Sequence, residues 1–206
     1  MSDDSAFDIL RETVDKASTN FAKSLEQFRA WHGGEGITEA NIALQLALAF
    51  TKIHENENAI AFVEVAFARV PGGRIDNHLD LYLATKDIAF MIEAKCLWCP
   101  ENARSIESDI ARLDGKLLFS ISERHQDKLQ LPRRCHGVII TDAWDDEIVN
   151  WWNQKEPSKC KWSREGFPLI WQYGSQPVLK INENPKGTIH WLFGMSPDLK
   201  VAPTTA

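Results

Sequence analysis

Two carboxylates and a lysine, Asp80, Glu93 and Lys95, are the residues whose types and spacing could do chemistry in this chain. Glu93 and Lys95 are two residues apart, so in a β-strand their side chains share one face. If Asp80 joins them from a neighbouring strand, two like charges lie opposite each other, which destabilises the pairing unless something compensates. A divalent cation would compensate it, because Mg²⁺ takes carboxylate oxygens together with phosphate and water. The lysine would then position an attacking water or stabilise charge on a phosphoryl group.

The segment that joins these residues is predicted to be a β-hairpin. Two apolar, β-prone runs, residues 81–84 and 88–92, flank a polar dipeptide at 86–87, which is short enough for a tight turn between antiparallel strands. With that dipeptide as the loop, Asp80 lies directly opposite Glu93, with Cβ atoms about 4.5–5.5 Å apart. The predicted register therefore brings the two carboxylates together.

Asp76, in the tetrapeptide Gly-Arg-Ile-Asp, competes with Asp80 for the metal-binding role. On the predicted register Asp76 lies four residues beyond the position opposite Glu93, about 13 Å along an extended strand. The register therefore favours Asp80, whereas a bulge or a longer turn would favour Asp76. His78 lies on the same face as Asp80 if the strand extends that far, where it would either contact substrate or be exposed at the strand end.

Asp80 followed, after a hairpin, by Glu93-Ala94-Lys95 resembles the active-site signature of the PD-(D/E)XK nuclease superfamily, which has the restriction-endonuclease-like fold. The strict motif has proline before the aspartate, where this chain has leucine. The resemblance covers residues 37–143. It implies a divalent-metal-dependent nuclease that hydrolyses phosphodiester bonds of DNA or RNA, with DNA the favoured partner and Mg²⁺ or Mn²⁺ the cofactor.

The resemblance also implies a role for each residue of the motif. Asp80, Glu93 and the main-chain carbonyl of Ala94 would hold the metal, and Lys95 would act on the water or on the developing charge. Glu39 would be an accessory catalytic carboxylate, because many members of the superfamily carry a glutamate on the helix before the sheet that assists the metal, often through water. The alternative for Glu39 is structural, since a carboxylate in the first turn complements the helix dipole.

The elements that must position these residues follow in the order helix, strand, hairpin, helix, strand, which is the order of the restriction-endonuclease-like core. Thr38 is the predicted N-cap of the first helix and places Glu39 in its first turn. The remaining core elements are predicted by periodicity and composition as a strand, a helix and a buried strand: residues 59–69, 103–122 and 135–141.

The chain is predicted to be α/β, with a mixed sheet whose central β-hairpin is flanked by helices, an extra N-terminal helix and a Trp-rich C-terminal β extension. Residues 1–34 are assigned to the N-terminal helix, residues 35–143 to the nuclease-like core and residues 144–206 to the extension packed on it. Apolar residues at spacings of three, four and seven predict an amphipathic helix over residues 5–31. That helix would cover one side of the core or mediate dimerisation.

The C-terminal extension is rich in tryptophan. These rings are predicted to be core residues, with stacking on unpaired bases as the alternative. The extension is predicted to contain a short helix that begins at Asp145 or Asp146 and ends at Gln154, followed by three strands with a turn at 184–187 between the last two: residues 169–173, 177–181 and 188–193.

The formal charge of −6 is unlike that of a surface that coats nucleic acid, although it permits a local basic cleft. The basic residues predicted to contact a phosphate backbone, or otherwise to lie in solvated loops, are Arg133, Arg134, Lys159, Lys161 and Arg164. No glycine-rich phosphate loop, G-x-S-x-G or H-E-x-x-H motif is present, so nucleotide-hydrolase, esterase and zinc-protease functions lack support.

No run of about 18 apolar residues occurs, and the N-terminus is acidic where a signal peptide would be basic. We therefore expect a soluble, cytoplasmic protein without a membrane partner. The four cysteines, Cys96, Cys99, Cys135 and Cys160, are expected to be reduced thiols. A structural metal bound to them would need a second close pair or histidines in its place.

An alternative function is a catalytically silent module of the same fold that binds or regulates within a larger nucleic-acid or defence assembly. The acidic net charge and the aromatic second half of the chain favour this alternative. Both functions are compatible with a homodimer or a larger assembly.

Overall fold

The computed structural model describes residues 3–28, 38–66, 78–113, 132–155, 159–180 and 188–199. These residues contain four α-helices, a single 3₁₀ turn at Glu55–Glu57 and six strands. In chain order the helices and strands are α1 (Asp3–Phe28), α2 (Glu39–Ile53), β1 (Ile60–Ala66), β2 (His78–Ala84), β3 (Ile88–Cys96), α3 (Pro100–Arg112), β4 (Arg134–Ala143), α4 (Asp146–Trp152), β5 (Gln172–Lys180) and β6 (Thr188–Met195). Asp76, residues 29–31, 67–69 and 114–122, and the turn at 184–187 lie outside the described residues.

The fold is α/β and is built on one six-stranded mixed sheet of order β1-β2-β3-β4-β6-β5. Helices α1 and α2 cover one face of the sheet, where the apolar side of α1 packs on β6 through Phe7 against Phe193 and Phe21 against Trp191. Helices α3 and α4 cover the other face. The amphipathic helix predicted at the N-terminus is confirmed within the described residues. It covers one side of the core, which is one of the two roles predicted for it.

The central hairpin has the register that the sequence predicts. Leu81 pairs with Ile92 and Leu83 with Phe90, and the N–H of Thr85 donates to the carbonyl of Ile88 at 2.9 Å to close the turn. A two-residue loop leaves the strands no other in-phase pairing that buries both apolar runs. The register of β2 and β3 therefore follows from local sequence.

Strand β4 runs parallel to β3, with Arg134 beside Ile88 and Thr141 beside Lys95. Two parallel strands need a crossover connection, and α3 lies within that connection and packs on the face it crosses. The carboxyl ends of β3 and β4 therefore meet at the same edge of the sheet.

The last two strands extend the same sheet. Strand β6 pairs antiparallel with β4, and β5 forms the outer edge. The prediction of separate strands at 169–173 and 177–181 was wrong in its bounds, because Leu169 and Ile170 lie in an exposed turn and a single strand runs through to Lys180 with an irregularity between Pro177 and Leu179. An edge strand tolerates a proline because one side of its backbone needs no partner.

Among the described helices, none combines the length and the apolar character needed to cross a bilayer.

Candidate functional site

The predicted charged residues meet at one edge of the sheet, where β2 begins and β3 ends. The Lys95 Nζ lies 3.7 Å from Glu39 Oε2, 4.0 Å from Asp80 Oδ2 and 3.5 Å from Asp109 Oδ2. The lysine side chain is only 20% exposed, so these contacts are partly shielded from water. Two of the residues predicted to be catalytic, Glu39 and Asp80, thus lie around the ammonium group of a third, Lys95, together with an aspartate that the sequence did not single out.

Asp80 is tied to the backbone of β3. Its Oδ2 accepts a hydrogen bond of 2.8 Å from the N–H of Ala94. In a regular continuation of the hairpin that N–H would bond the carbonyl of Leu79, because hydrogen-bonded pairs alternate along an antiparallel ladder. The observed backbone pairing instead ends at Leu81 and Ile92, and the carboxylate takes the place of the carbonyl.

The side-chain alternation of β2 shifts at Asp80. Leu79 and Tyr82 pack on the α3 side of the sheet, whereas Leu81 packs on the α2 side, although residues two apart in a regular strand share a face. The neighbouring strand is irregular at the same level, since Glu64 has a φ of 55° in the left-handed region. This irregularity turns the Asp80 carboxylate toward the gap between β2 and β3.

Glu93 is the most deeply buried carboxylate of the site, with only 1% of its side chain exposed. Burial, and next the neighbouring carboxylate of Asp80, raise the pKa of Glu93 to about 8, and Arg112 offsets part of this rise. The Arg112 Nη2 lies 2.6 Å from Glu93 Oε1. The predicted strand pairing of Asp80 with Glu93 falls one residue past the observed ladder, but the two carboxylates interact electrostatically as expected.

Helix α3 supplies two charged residues that sequence reasoning missed as site residues, Asp109 and Arg112. They form an ion pair of 3.0 Å with each other, and each contacts one member of the Glu-x-Lys triplet. Asp109 is buried beside Ile106 and Ile110 on the face of α3 that packs on the sheet. The sequence signal available for Asp109 was its position as a single acidic residue beside the apolar stripe of the helix. A buried charge requires a partner, so this position indicates a nearby basic group.

Glu39 stands in the first turn of α2, whose N-cap is Thr38 as predicted. The Thr38 hydroxyl accepts from the N–H of Asn41 at 3.4 Å. Burial raises the pKa of Glu39, while Lys95 and a hydrogen bond from the backbone of Cys96 act in the opposite direction. The carboxylate thus contacts the end of β3, which is where its proposed accessory role requires it.

Lys95 is a stable cation in this setting. Burial by itself would lower the pKa of Lys95, but the carboxylates of Asp109, Glu39 and Asp80 outweigh burial and raise it above the ordinary value of 10.5. At neutral pH the ammonium therefore donates hydrogen bonds and does not accept a proton.

An open cavity of about 460 Å³ adjoins these groups. Its walls include the carboxylates of Glu39, Glu64 and Asp80 and the side chains of Trp98 and Asn102. Of the charged cluster, Glu39 and Asp80 line this cavity, whereas Lys95 and Glu93 are not among its lining residues. The cavity is large enough for a small ligand.

Within the described ranges, no group of three or more His, Cys, Asp or Glu side chains is arranged to hold a metal ion by itself. A Mg²⁺ site does not need one, because this ion usually takes one or two carboxylates and completes its shell with water and substrate phosphate. Asp80 and Glu93 are two carboxylates of this kind, although burial and the neighbouring Asp80 raise the pKa of Glu93 and Arg112 already pairs with it. The donor set is oxygen only, which suits Mg²⁺ or Mn²⁺, so the residues present fit the implied metal.

Two of the predicted phosphate-contacting residues lie at the opposite edge of the sheet. Arg134 is beside Ile88, seven residues before Lys95 on β3, which is about 23 Å along a strand. Arg134 forms ion pairs with Asp3 and Asp198, and the adjacent Arg133 is exposed. The structure does not bring these arginines together with the carboxylates of the candidate site, Glu39, Asp80 and Glu93.

The other predicted basic residues lie in the segment after α4. Lys159 and Lys161 are exposed, and their contact with phosphate stays a prediction. Arg164 is engaged in the fold, because its Nη1 donates at 2.7 Å to the carbonyls of both Trp151 and Trp152. Its guanidinium also lies over the rings of Trp151, Phe167 and Tyr173, among other aromatic side chains of the core.

The tryptophans after residue 143 are mainly core residues, as the first of the two predictions states. Four of them are buried: Trp151, Trp152, Trp171 and Trp191. The four cysteines form no disulfide, and two of them, Cys96 and Cys135, are buried. No structural metal site involving them is found within the part of the chain that is described.

No protein-family model, curated protein or solved structure matches this chain. Function is therefore inferred from the side chains and their geometry.

Proposed function

We propose that this chain is a divalent-metal-dependent nuclease that hydrolyses phosphodiester bonds of DNA or RNA. The observation that carries the proposal is the meeting of Asp80, Glu93 and Lys95 at the open end of one hairpin, with the Asp80 carboxylate hydrogen-bonded to the N–H of Ala94. These are the residues of the Asp and Glu-x-Lys signature that the sequence resembles.

The order of the elements supports the same proposal. Helix α2 is followed by the antiparallel strands β1, β2 and β3, then by α3 and by β4 parallel to β3. This is the helix, strand, hairpin, helix, strand order of the restriction-endonuclease-like core, with the signature residues on the hairpin. The chain would then be such a core, extended by α1 and by the pair β5 and β6.

Asp80, Glu93 and the carbonyl of Ala94 are the residues that would hold the metal. Within a strand the N–H and C=O of one residue point to the same neighbour, so the hydrogen bond from Ala94 to Asp80 directs the Ala94 carbonyl to the side of β3 where Asp80 lies. When bound, a divalent cation supplies Lewis-acid stabilisation of the phosphoryl oxygens and lowers the pKa of bound water.

The protein groups around that site divide the remaining tasks. Lys95, held as a cation by the four carboxylates around it, would donate a hydrogen bond to the phosphate oxygen on which charge develops. Glu39 faces the cavity and would orient the attacking water. Asp109 and Arg112 hold Lys95 and Glu93 in place from α3.

The proposal is tested with a panel of single-stranded, duplex and branched DNA and RNA incubated with the protein in Mg²⁺ or Mn²⁺. We expect metal-dependent cleavage of at least one substrate, abolished by Asp80→Ala without loss of folding. Cleavage that persists in Asp80→Ala but is lost in Asp76→Ala would show that the wrong aspartate is assigned. Absence of cleavage across the panel would overturn the proposal.

One observation favours a second function, a binding or regulatory module without catalysis. The ammonium of Lys95 and the guanidinium of Arg112 already lie beside the acidic groups of the site, so a structural charge network can form without a metal. Titration calorimetry separates the two functions. A nuclease binds Mg²⁺ or Mn²⁺ in a way that Asp80→Asn weakens, whereas a silent module shows no binding that depends on this carboxylate.

A further inference from the structure

Trp98 differs from the other described tryptophans. Its side chain is 53% exposed, whereas the remaining described tryptophans are buried or partly buried. A large aromatic side chain placed in water forgoes the free energy that burial would give it. The exposure of Trp98 is therefore a feature that core packing does not account for.

The position of Trp98 places it beside the proposed active site. It follows β3 by two residues and precedes α3, and it lines the same cavity as Glu39 and Asp80. Trp98 therefore adjoins two of the residues that the proposed function uses, Glu39 and Asp80.

The size and chemistry of the cavity fit one nucleotide. Its volume of about 460 Å³ lies in the roughly 300–1,000 Å³ range of small-molecule sites, which is enough for a single base with its sugar. Asn102, on the same wall, accepts from the thiol of Cys99 through its Oδ1 at 2.7 Å, so its amide nitrogen keeps donor hydrogens for a base edge or a phosphate.

We propose that Trp98 is a stacking platform for an unpaired nucleobase next to the scissile phosphate, so that the substrate carries single-stranded nucleotides at the cleavage site. This inference deepens the proposed nuclease function and rests on it for the scissile phosphate. Base-on-aromatic stacking tolerates any base, because each base has a π face. A base inside a duplex would first have to leave its stack before it could stack on the indole, whereas an unpaired base would not.

The test is binding of short oligonucleotides that carry 2-aminopurine, whose fluorescence is quenched when it stacks. Single-stranded DNA, single-stranded RNA and the matching duplexes are titrated with the full chain in Ca²⁺ and in EDTA. We expect the wild-type protein to bind single strands more tightly than duplexes and to quench the probe, with the DNA and RNA arms identifying the preferred sugar.

The variants separate stacking from folding. Trp98→Ala is expected to weaken single-strand binding by about 10-fold and to remove the quenching, whereas Trp98→Phe, which keeps a ring, stays within about threefold of wild type. Phe62→Ala is the matched control, because Phe62 is an aromatic residue of nearly equal exposure, 51%, and is not among the residues that line the cavity. It is expected to bind like wild type.

The proposal is overturned if Trp98→Ala binds and quenches like wild type, if duplexes bind as tightly as single strands, or if the wild-type protein binds no oligonucleotide. Failure of the nuclease function gives a different result. Trp98-dependent binding without cleavage in Mg²⁺ or Mn²⁺ would contradict the proposed nuclease function and support the base-stacking site. Asp80-dependent cleavage that Trp98→Ala leaves unchanged would support the nuclease function and contradict the base-stacking site.

Discussion

The carboxylate of Asp80 accepts a 2.8 Å hydrogen bond from the backbone N–H of Ala94, in the place where a regular hairpin would use the carbonyl of Leu79. The bond connects the aspartate of the signature with the middle residue of the Glu-x-Lys triplet. Because a side chain replaces a strand contact, the two strands part beyond Leu81 and Ile92. The charged site occupies the end where they separate.

Two substitutions distinguish the effect of this hydrogen bond on stability from the effect of the Asp80 charge. Asp80→Asn keeps an oxygen acceptor for the Ala94 N–H and removes both the repulsion with Glu93 and the attraction to Lys95, so we expect stability close to that of wild type. Asp80→Ala also removes the repulsion but leaves the N–H unpaired, and its free energy of unfolding should be about 1 kcal/mol below that of Asp80→Asn. Urea unfolding measures the difference. Equal stability of the two variants would show that the hydrogen bond does not hold β2 to β3.

Arg112 and Glu93 should be strongly coupled in stability. Arg112→Ala leaves Glu93 buried without its partner, a change that costs about 3–5 kcal/mol where the charge is retained. Because the pKa of Glu93 is already raised to about 8, proton uptake reduces the loss, and we expect about 2 kcal/mol at neutral pH.

A double-mutant cycle with Glu93→Gln isolates this coupling. In the Glu93→Gln background, Arg112→Ala should cost much less, giving an interaction energy of about 1–2 kcal/mol by urea unfolding. Additive effects of the two substitutions would contradict an ion pair between these residues.

The fold around the hairpin could be predicted from sequence because local rules determine it. A two-residue loop sets the register of β2 and β3, Thr38 is the N-cap of α2, and the continuous apolar run of β4 indicates a buried strand. Strand alternation placed Lys95 beside Glu93, and the resemblance to the nuclease signature added Glu39 to the candidate site.

Features that depend on how elements pack together could not be predicted in the same way. Asp109 joins the site only because α3 turns that face toward the end of β3, and a helical pattern gives the face without its orientation. The shift in alternation at Asp80 depends on a neighbouring strand that is irregular at Glu64. Arg164 was predicted from its charge, but it donates to two carbonyls at the end of α4.

The N-cap of α2 should contribute measurably to stability, because it begins the helix that carries Glu39. Thr38→Ala removes the hydroxyl that accepts from the N–H of Asn41 and should lower the free energy of unfolding by about 1 kcal/mol. Thr38→Ser, which keeps the hydroxyl, should remain close to wild type. A loss of similar size in both variants would argue against capping as the cause.

His136 should make stability depend on pH below neutrality. Its Nδ1 lies 2.9 Å from the carbonyl oxygen of Ser196, and its Nε2 is buried with no hydrogen-bond partner among the described residues. Burial lowers the pKa of His136 below the ordinary value of 6.5. At pH values well above 6.5 the imidazole is neutral in both the folded and the unfolded state. As the pH falls below 6.5 the unfolded chain takes up a proton that the folded chain does not, so the contribution of His136 to stability declines.

The measurement is urea unfolding of wild type and His136→Gln at several values from about pH 8 to about pH 5. The difference in unfolding free energy between the two proteins should be constant above neutrality and should shift in favour of the variant as the solution becomes acidic. Parallel pH curves for the two proteins would contradict a perturbed histidine at this position.

The most direct measurement of the central claim is the single-turnover rate of nucleic-acid cleavage in Mg²⁺ by wild type, Lys95→Ala and the control Lys52→Ala, whose lysine is exposed and pairs with Glu55. If Lys95 stabilises the developing charge, its removal should slow cleavage by about 100- to 1,000-fold, with substrate binding retained and the control unchanged. Cleavage by Lys95→Ala at the wild-type rate, or wild-type cleavage that needs no divalent metal, would contradict a nuclease site built from Asp80, Glu93 and Lys95.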